Sequence, residues 1–218
     1  MDLQALYLSL KLALLTLAII IPFGIWVAHS LRGMGKSRSW IEAALALPLV
    51  LPPTVLGYYL LVGLGGKSIF GIPLVFSFAG ILIASLIVNL PFAIQPIQRA
   101  FEAIQPEIRE AAQVSGLSNW QIFRLIELPL AWRGITSAAV LTFAHTLGEF
   151  GVILMVGGAI PGETKTVSIA IYDKVQSFDT AGAGVLSLIL LATSLVAIAV
   201  SYGIFGGQSS RSHDGRSA

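Results

Sequence analysis

The sequence predicts an all-α polytopic membrane protein, and three observations carry that expectation. Of its 218 residues, 56% are hydrophobic and only 11% charged, where soluble domains carry about 25% charged residues. Mean hydropathy is +0.85. Five apolar stretches are each long enough to cross roughly 30 Å of hydrocarbon as a helix, which takes about 20 residues at a rise of 1.5 Å. The formal charge is +2, and Lys and Arg lie scattered between apolar stretches instead of forming a stripe with interleaved aromatics, so a nucleic-acid partner finds no support. With no cysteine, disulfides, thiolate nucleophiles and thiolate metal sites are excluded.

The expected spans run approximately over residues 12–31, 41–64, 78–97, 135–156 and 181–205, within a single transmembrane domain covering 1–205 and followed by a tail, 206–218. Met1-Asp2-Leu3-Gln4 lacks the basic region of a cleavable signal, so the first span is read as retained, with Lys11 snorkelling at one end and Trp26 near the other. The second contains Pro48, Pro52 and Pro53. Each removes a backbone donor and crowds the preceding turn, so this helix is expected to break and to face the inside of the bundle, where its freed carbonyls find partners. The third carries Asn89, Pro91, Gln95 and Pro96 on a polar side. The fourth holds His145 and Glu149, a polar loop follows, and the fifth has no charge. The Ser, Gly and Arg content of the tail predicts disorder. No internal repeat is visible.

Charge asymmetry orients these spans. With five crossings, one side receives Arg32, Lys36, Arg38, Arg99, Arg109, Arg124, Arg133, Arg211 and Arg216, and the other Lys11, Lys67, Lys165 and Lys174. The positive-inside rule therefore predicts that the 99–133 loop and the C-terminus are cytoplasmic and the N-terminus is outside. That loop gathers 8 of the chain's 24 charged residues.

Within the loop, Pro106 suits a first helical turn, Glu107 complements its positive end, and Gly116 can take the left-handed conformation that closes a helix. Ser118 with Gln121 forms a capping-box pattern ahead of Ile122, Leu125 and Ile126, and Pro129 is expected to end this second short helix. Ile108, Ala111, Ala112 and Ser115 share one face of the first helix, where small side chains allow close approach by another surface; packing beneath the bundle is the plainer reading.

Glu110-Ala111-Ala112, Gly116 after three residues, then Ile126, any residue, and Leu128-Pro129 closely resemble the EAA loop of binding-protein-dependent importer permeases of the ATP-binding cassette type, with every element at that family's spacing. The resemblance implies a type I importer permease fold whose first short loop helix is a coupling helix that docks on an ATPase subunit, with Glu110, Ala111, Ala112, Gly116 and Leu117 as its residues. The chain has no Gly-x-x-x-x-Gly-Lys-[Ser/Thr] loop; ATP and Mg are expected on the partner ATPase, and this chain is not itself an enzyme. The implied partners are a second copy of the chain, two ATPase subunits, an extracytoplasmic oxyanion-binding protein and membrane lipid, in the cytoplasmic membrane of a prokaryote.

The resemblance is closest to molybdate permeases, through Leu47 to Leu60, Leu147-Gly148-Glu149-Phe150-Gly151 and Ile160 to Thr166; sulfate permeases share a looser version, leaving sulfate, thiosulfate or tungstate as alternative cargo. Backbone donors, hydroxyls or Arg and Lys recognise a tetrahedral dianion, and the apolar interior offers almost no fixed positive charge. That suits a pathway that binds weakly while a separate protein selects. Candidate pathway or gate residues are Pro52, Pro53, Thr54, Asn89, His145 and Glu149. The Pro52-Pro53-Thr54 break can aim backbone groups at an ion or simply kink a packed helix. Asn89 reads as an interhelical hydrogen bonder or a ligand. His145 and Glu149 share a helix face as a gate, a proton relay or a packing hydrogen bond. Glu163, Lys165, Asp173 and Lys174 lie outside, in a solvated loop or against a binding protein. An ion-coupled secondary transporter or channel is the alternative of a different class; neither inverted repeats nor a paired intramembrane relay support it. A membrane enzyme lacks a Ser/His/Asp set or a metal cluster.

Overall fold

A computed structural model describes residues 3–65 and 74–206 of the chain, which are helical throughout their regular structure, with no strand among them. The helices are α1 (Leu3–Leu31), α2 (Arg38–Val50), α3 (Pro53–Gly65), α4 (Phe78–Glu102), α5 (Pro106–Val114), α6 (Asn119–Ile122), α7 (Leu128–Gly148), α8 (Gly151–Gly157), α9 (Val167–Gln176) and α10 (Thr180–Gly206), with a π-helical turn, Phe123–Glu127, joining α6 to α7. Three of them, α1, α4 and α10, are long and apolar enough to cross a membrane alone, and five crossings result when the bent pairs α2–α3 and α7–α8 each count as one. The tail beyond residue 206 and Lys67 lie outside the described residues.

The centre is α4, which packs most extensively on α7 and α1. Leu12, Ile81, Ala84, Val88, Val152, Ile153, Val156 and Ile169 form one buried cluster; Ala28, Ile97, Phe101, Ile104, Ala131, Ile135 and Ala138 form another towards the loop. In lipid, such contact gains little from hydrophobicity, so close backbone approach matters. Gly134 supplies it: a Cβ there would meet the Ala100 side chain and lie 2.8 Å from the Pro96 carbonyl oxygen. α4 runs unbroken through Pro91 and Pro96 and continues to Glu102, five residues past the expected end.

Four expectations are corrected. The first span starts at Leu3 rather than residue 12, because Ala5 joins Val167, Ala170 and Leu186 in a buried cluster; Lys11 is thus mid-helix, over the Phe78 ring at 4.4 Å. The fourth span begins at Leu128 and is not continuous to residue 156: it breaks at Glu149-Phe150, and α8 departs at 59°. The polar loop before the fifth span contains α9, whose Val167, Ile169 and Ala170 are buried and whose first amide donates to Ser9 Oγ at 2.8 Å. Pro129 does not end a helix but sits in the first turn of α7. Its ring crowds the carbonyl four residues back, and the helix widens locally so that the Leu128 amide reaches Phe123.

The expected break in the second span is present. Leu51, ahead of Pro52, is extended (φ −73°, ψ 136°) as residues before proline prefer, and α2 and α3 meet at a bend of 108°. The Pro52 carbonyl accepts from the amides of Val55 and Leu56 at 2.9 and 3.1 Å, satisfying the start of α3. Pro48 stays within α2. The helix over the fifth expected span, α10, runs from Thr180 to Gly206.

Candidate functional site

The charged loop folds as its caps dictate. Pro106 opens α5 with Glu107 in the first turn. At its end Gly116 takes φ +84°, and the amides of Gly116 and Leu117 return to the carbonyls of Gln113 and Ala112 at 2.9 and 3.2 Å. This double closure satisfies carbonyls that a bare helix end leaves open. The capping box follows: Ser118 Oγ accepts the Gln121 amide at 3.3 Å, while Gln121 Oε1 accepts the Ser118 amide at 2.8 Å. Glu110, Ala111 and Gly116 are exposed, Leu117 is half-buried and Ala112 is buried. The face expected to meet a partner is thereby divided, with Ala111 turned out and Ala112 turned in.

The loop is tied to the bundle by a residue that sequence reasoning passed over. Glu127 occupies the unspecified position between Ile126 and Leu128-Pro129, and its side chain is 1% exposed. Its Oε1 accepts from Arg32 Nη1 at 2.8 Å, its Oε2 lies 3.1 Å from His29 Nε2, and Arg109 Nη1 stands 3.8 Å from Oε1. His29 is held edge-on between Phe101 and Phe123. The available signal was a lone carboxylate in an apolar run, which requires a buried partner.

A second polar chain crosses the bundle interior. Thr16 and Ser85 hydroxyls meet at 3.0 Å; Asn89 donates to the Ser85 carbonyl at 2.8 Å; His145 Nδ1 is 3.2 Å from Asn89 Oδ1, with its ring stacked on Phe92 at 4.0 Å. Thus Asn89 and His145 are brought together, with Ser85 and Thr16 added by the fold. His145 and Glu149 are not directly hydrogen bonded: Nε2 and Oε2 are 3.9 Å apart, beyond a hydrogen bond's reach. Glu149 instead accepts the Val152 amide at 2.9 Å, and Ser168 donates to the Leu147 carbonyl at 2.7 Å, so both sides of the break find partners.

The two breaks adjoin. A Cβ on Gly151 would lie 3.0 Å from Pro53 Cβ and 4.0 Å from Glu149 Oε1. Pro52, Pro53 and Thr54 are all exposed on the single chain. Towards the other end of α9, Lys165 pairs with Asp173 at 2.6 Å and Lys174 with Asp179 at 2.8 Å.

The sequence matches, over residues 20–211, the family described as binding-protein-dependent transport system inner membrane component. It is 44% identical over 191 residues to the molybdenum transport system permease protein ModB of Azotobacter vinelandii, covering 84% of each chain. To ModB of Escherichia coli (strain K12) it is 36% identical over 208 residues, covering 91% of each. A similar solved fold is that of the bacterial alginate ABC transporter in complex with an alginate pentasaccharide-bound periplasmic protein, with TM-score 0.77 and 18% identity over 93% of this chain and 77% of that one.

Proposed function

The chain belongs to the family of binding-protein-dependent transport system inner membrane components, and from that membership we propose that it is the permease subunit of an ATP-driven importer of molybdate. It is a multi-pass membrane protein and a non-catalytic component of its transporter. Fuel comes from a separate ATPase, which holds ATP and Mg. The finer assembly in this reading has two copies of the chain, two ATPase subunits and an extracytoplasmic binding protein, with the N-terminus outside and the C-terminus in the cytoplasm. The charge count supports that orientation, and the periplasmic partner of the alginate transporter supports a delivering protein.

One observation carries the mechanism: α5 opens at Pro106, is closed at its C-terminal end by the Gly116 turn, and leaves Glu110, Ala111 and Gly116 exposed. A helix held this way is suited to receive force from a partner. Glu110, Ala111, Ala112, Gly116 and Leu117 form the coupling surface, Ala112 and Leu117 by seating the helix and the others by contact. The pathway reading centres on the adjoining breaks at Pro52-Pro53-Thr54 and Glu149. Residues 41–64 and 135–156 contain no Lys or Arg, so an oxyanion passing there meets backbone and hydroxyl dipoles rather than a fixed cation, and its release stays fast. Asn89 and His145, bonded to each other, hold α4 against α7 beside that route.

Radiolabelled molybdate uptake by the complete transporter in proteoliposomes tests both parts. Uptake is expected to require ATP inside and to persist in a large excess of sulfate. Equal protection by sulfate overturns the cargo, and uptake undiminished without the ATPase overturns the mechanism.

A further inference from the structure

We propose that Glu127 is a transmission clasp: a buried carboxylate that joins the coupling helix to the first transmembrane helix, so that displacement of α5 is delivered to α1 as well as along α7. The inference rests on the reading of α5 as the ATPase-docking helix.

Three elements converge on this one side chain. From α1 come His29 and Arg32, from α5 comes Arg109, and Glu127 itself closes the π-helical turn that makes α6 and α7 one helical run. α6 and α7 alone would carry motion only into α7. A buried charge is costly unless paired, and removing one partner of such a pair is strongly destabilising, so Glu127 keeps its close partners Arg32 and His29 wherever the turn moves. Arg32 grips it within hydrogen-bonding distance at 2.8 Å, whereas Arg109 stands at 3.8 Å. The α1 side is therefore the tight contact and the α5 side the one with room to tighten or part as α5 shifts. A single π turn inside a helical run is a place where helices kink and where functional sites recur. Coupling between distant sites needs such an element with alternative arrangements, biased from one end and felt at the other.

Arg109→Gln removes the α5 arm and leaves the buried Glu127–Arg32–His29 contacts in place; Glu127→Gln removes the charge altogether. Each is assembled with the ATPase and the binding protein in proteoliposomes, and ATP hydrolysis and molybdate uptake are measured side by side. For Arg109→Gln, assembly and hydrolysis are expected to stay near those of the native complex while molybdate taken up per ATP falls about tenfold, within the usual range of coupling between sites, and Arg109→Lys is expected to restore part of it. Glu127→Gln is expected to lower the same ratio at least as far. A native ratio in an assembled Arg109→Gln complex overturns the clasp, even if Glu127→Gln fails to assemble. In a separate arm, a single cysteine at Gln113 in the otherwise cysteine-free chain is cross-linked to the ATPase. Absence of that cross-link sinks the docking reading, whereas a cross-link together with a native ratio sinks the clasp alone.

Discussion

Gly116 holds φ at +84°, with nothing within 4 Å of the place a Cβ would occupy. Space is available; backbone conformation is the constraint, and an ordinary L residue there costs about 1–2 kcal/mol. Gly116→Leu is expected to loosen the double closure of α5 and to lower molybdate uptake relative to ATP hydrolysis in the reconstituted complex. Normal uptake by an intact complex carrying this change removes Gly116 from the coupling assignment. The same residue shows how much was readable beforehand: a glycine just past a capped helix announces its own geometry, because few other residues adopt it. Ala112 did not announce its burial, nor Glu127 its partners, since each depends on which side of a short helix meets a chain segment far away in sequence. Asn89 was legible as an interhelical hydrogen bonder, but its link to His145 arose only when α4 met α7.

At the scale of elements, the corner between α9 and α10 is held by Asp179. Its carboxylate accepts from Lys174 at 2.8 Å and from the Gly182 amide at 2.9 Å, and these bonds, the lysine's first, hold it below its ordinary pKa of 3.8. A carboxyl depressed in the folded state stabilises above its unfolded value and loses that contribution as pH falls through the folded one. Protection of the Gly182 and Ala183 amides from hydrogen exchange, corrected for intrinsic rate, is therefore expected to drop as pH falls below about 4. Asp179→Asn is expected to exchange faster at neutral pH and to show no acid step; an acid step that survives it would assign the effect to another group. Element boundaries were legible where caps or proline pairs marked them, as at Pro52-Pro53 and Ser118. Pro129 misled because a proline that follows a helical turn can be absorbed by widening it, and the break at Glu149 was hidden because its capping bond comes from the residue's own carboxylate.

For the molecule as a whole, α2 has no buried residue in the single chain, and Val50 and Tyr59 are 81% and 66% exposed. α2 and α3, each 13 residues, are about 20 Å long, shorter than the hydrocarbon layer. α3 rests on α8 and α2 on α4 along their inner sides, so the exposed outer side of the bent pair is left to meet a second chain, and native mass spectrometry of the detergent-extracted transporter is expected to find two copies. A single copy in an active complex would sink the symmetric arrangement.

What the sequence determined by itself was the solvent, the helical class, the approximate spans and the capped loop, because hydropathy, capping and left-handed glycine act within a few residues of chain. Tertiary structure alone decided that the two helix breaks adjoin, that Asn89 answers His145, and that Glu127 gathers Arg32, His29 and Arg109. Those are contacts between residues 56 to 98 positions apart or on separate helices, and no local rule reaches across such distances; only the packing of α1, α4 and α7 brings the groups within bonding range.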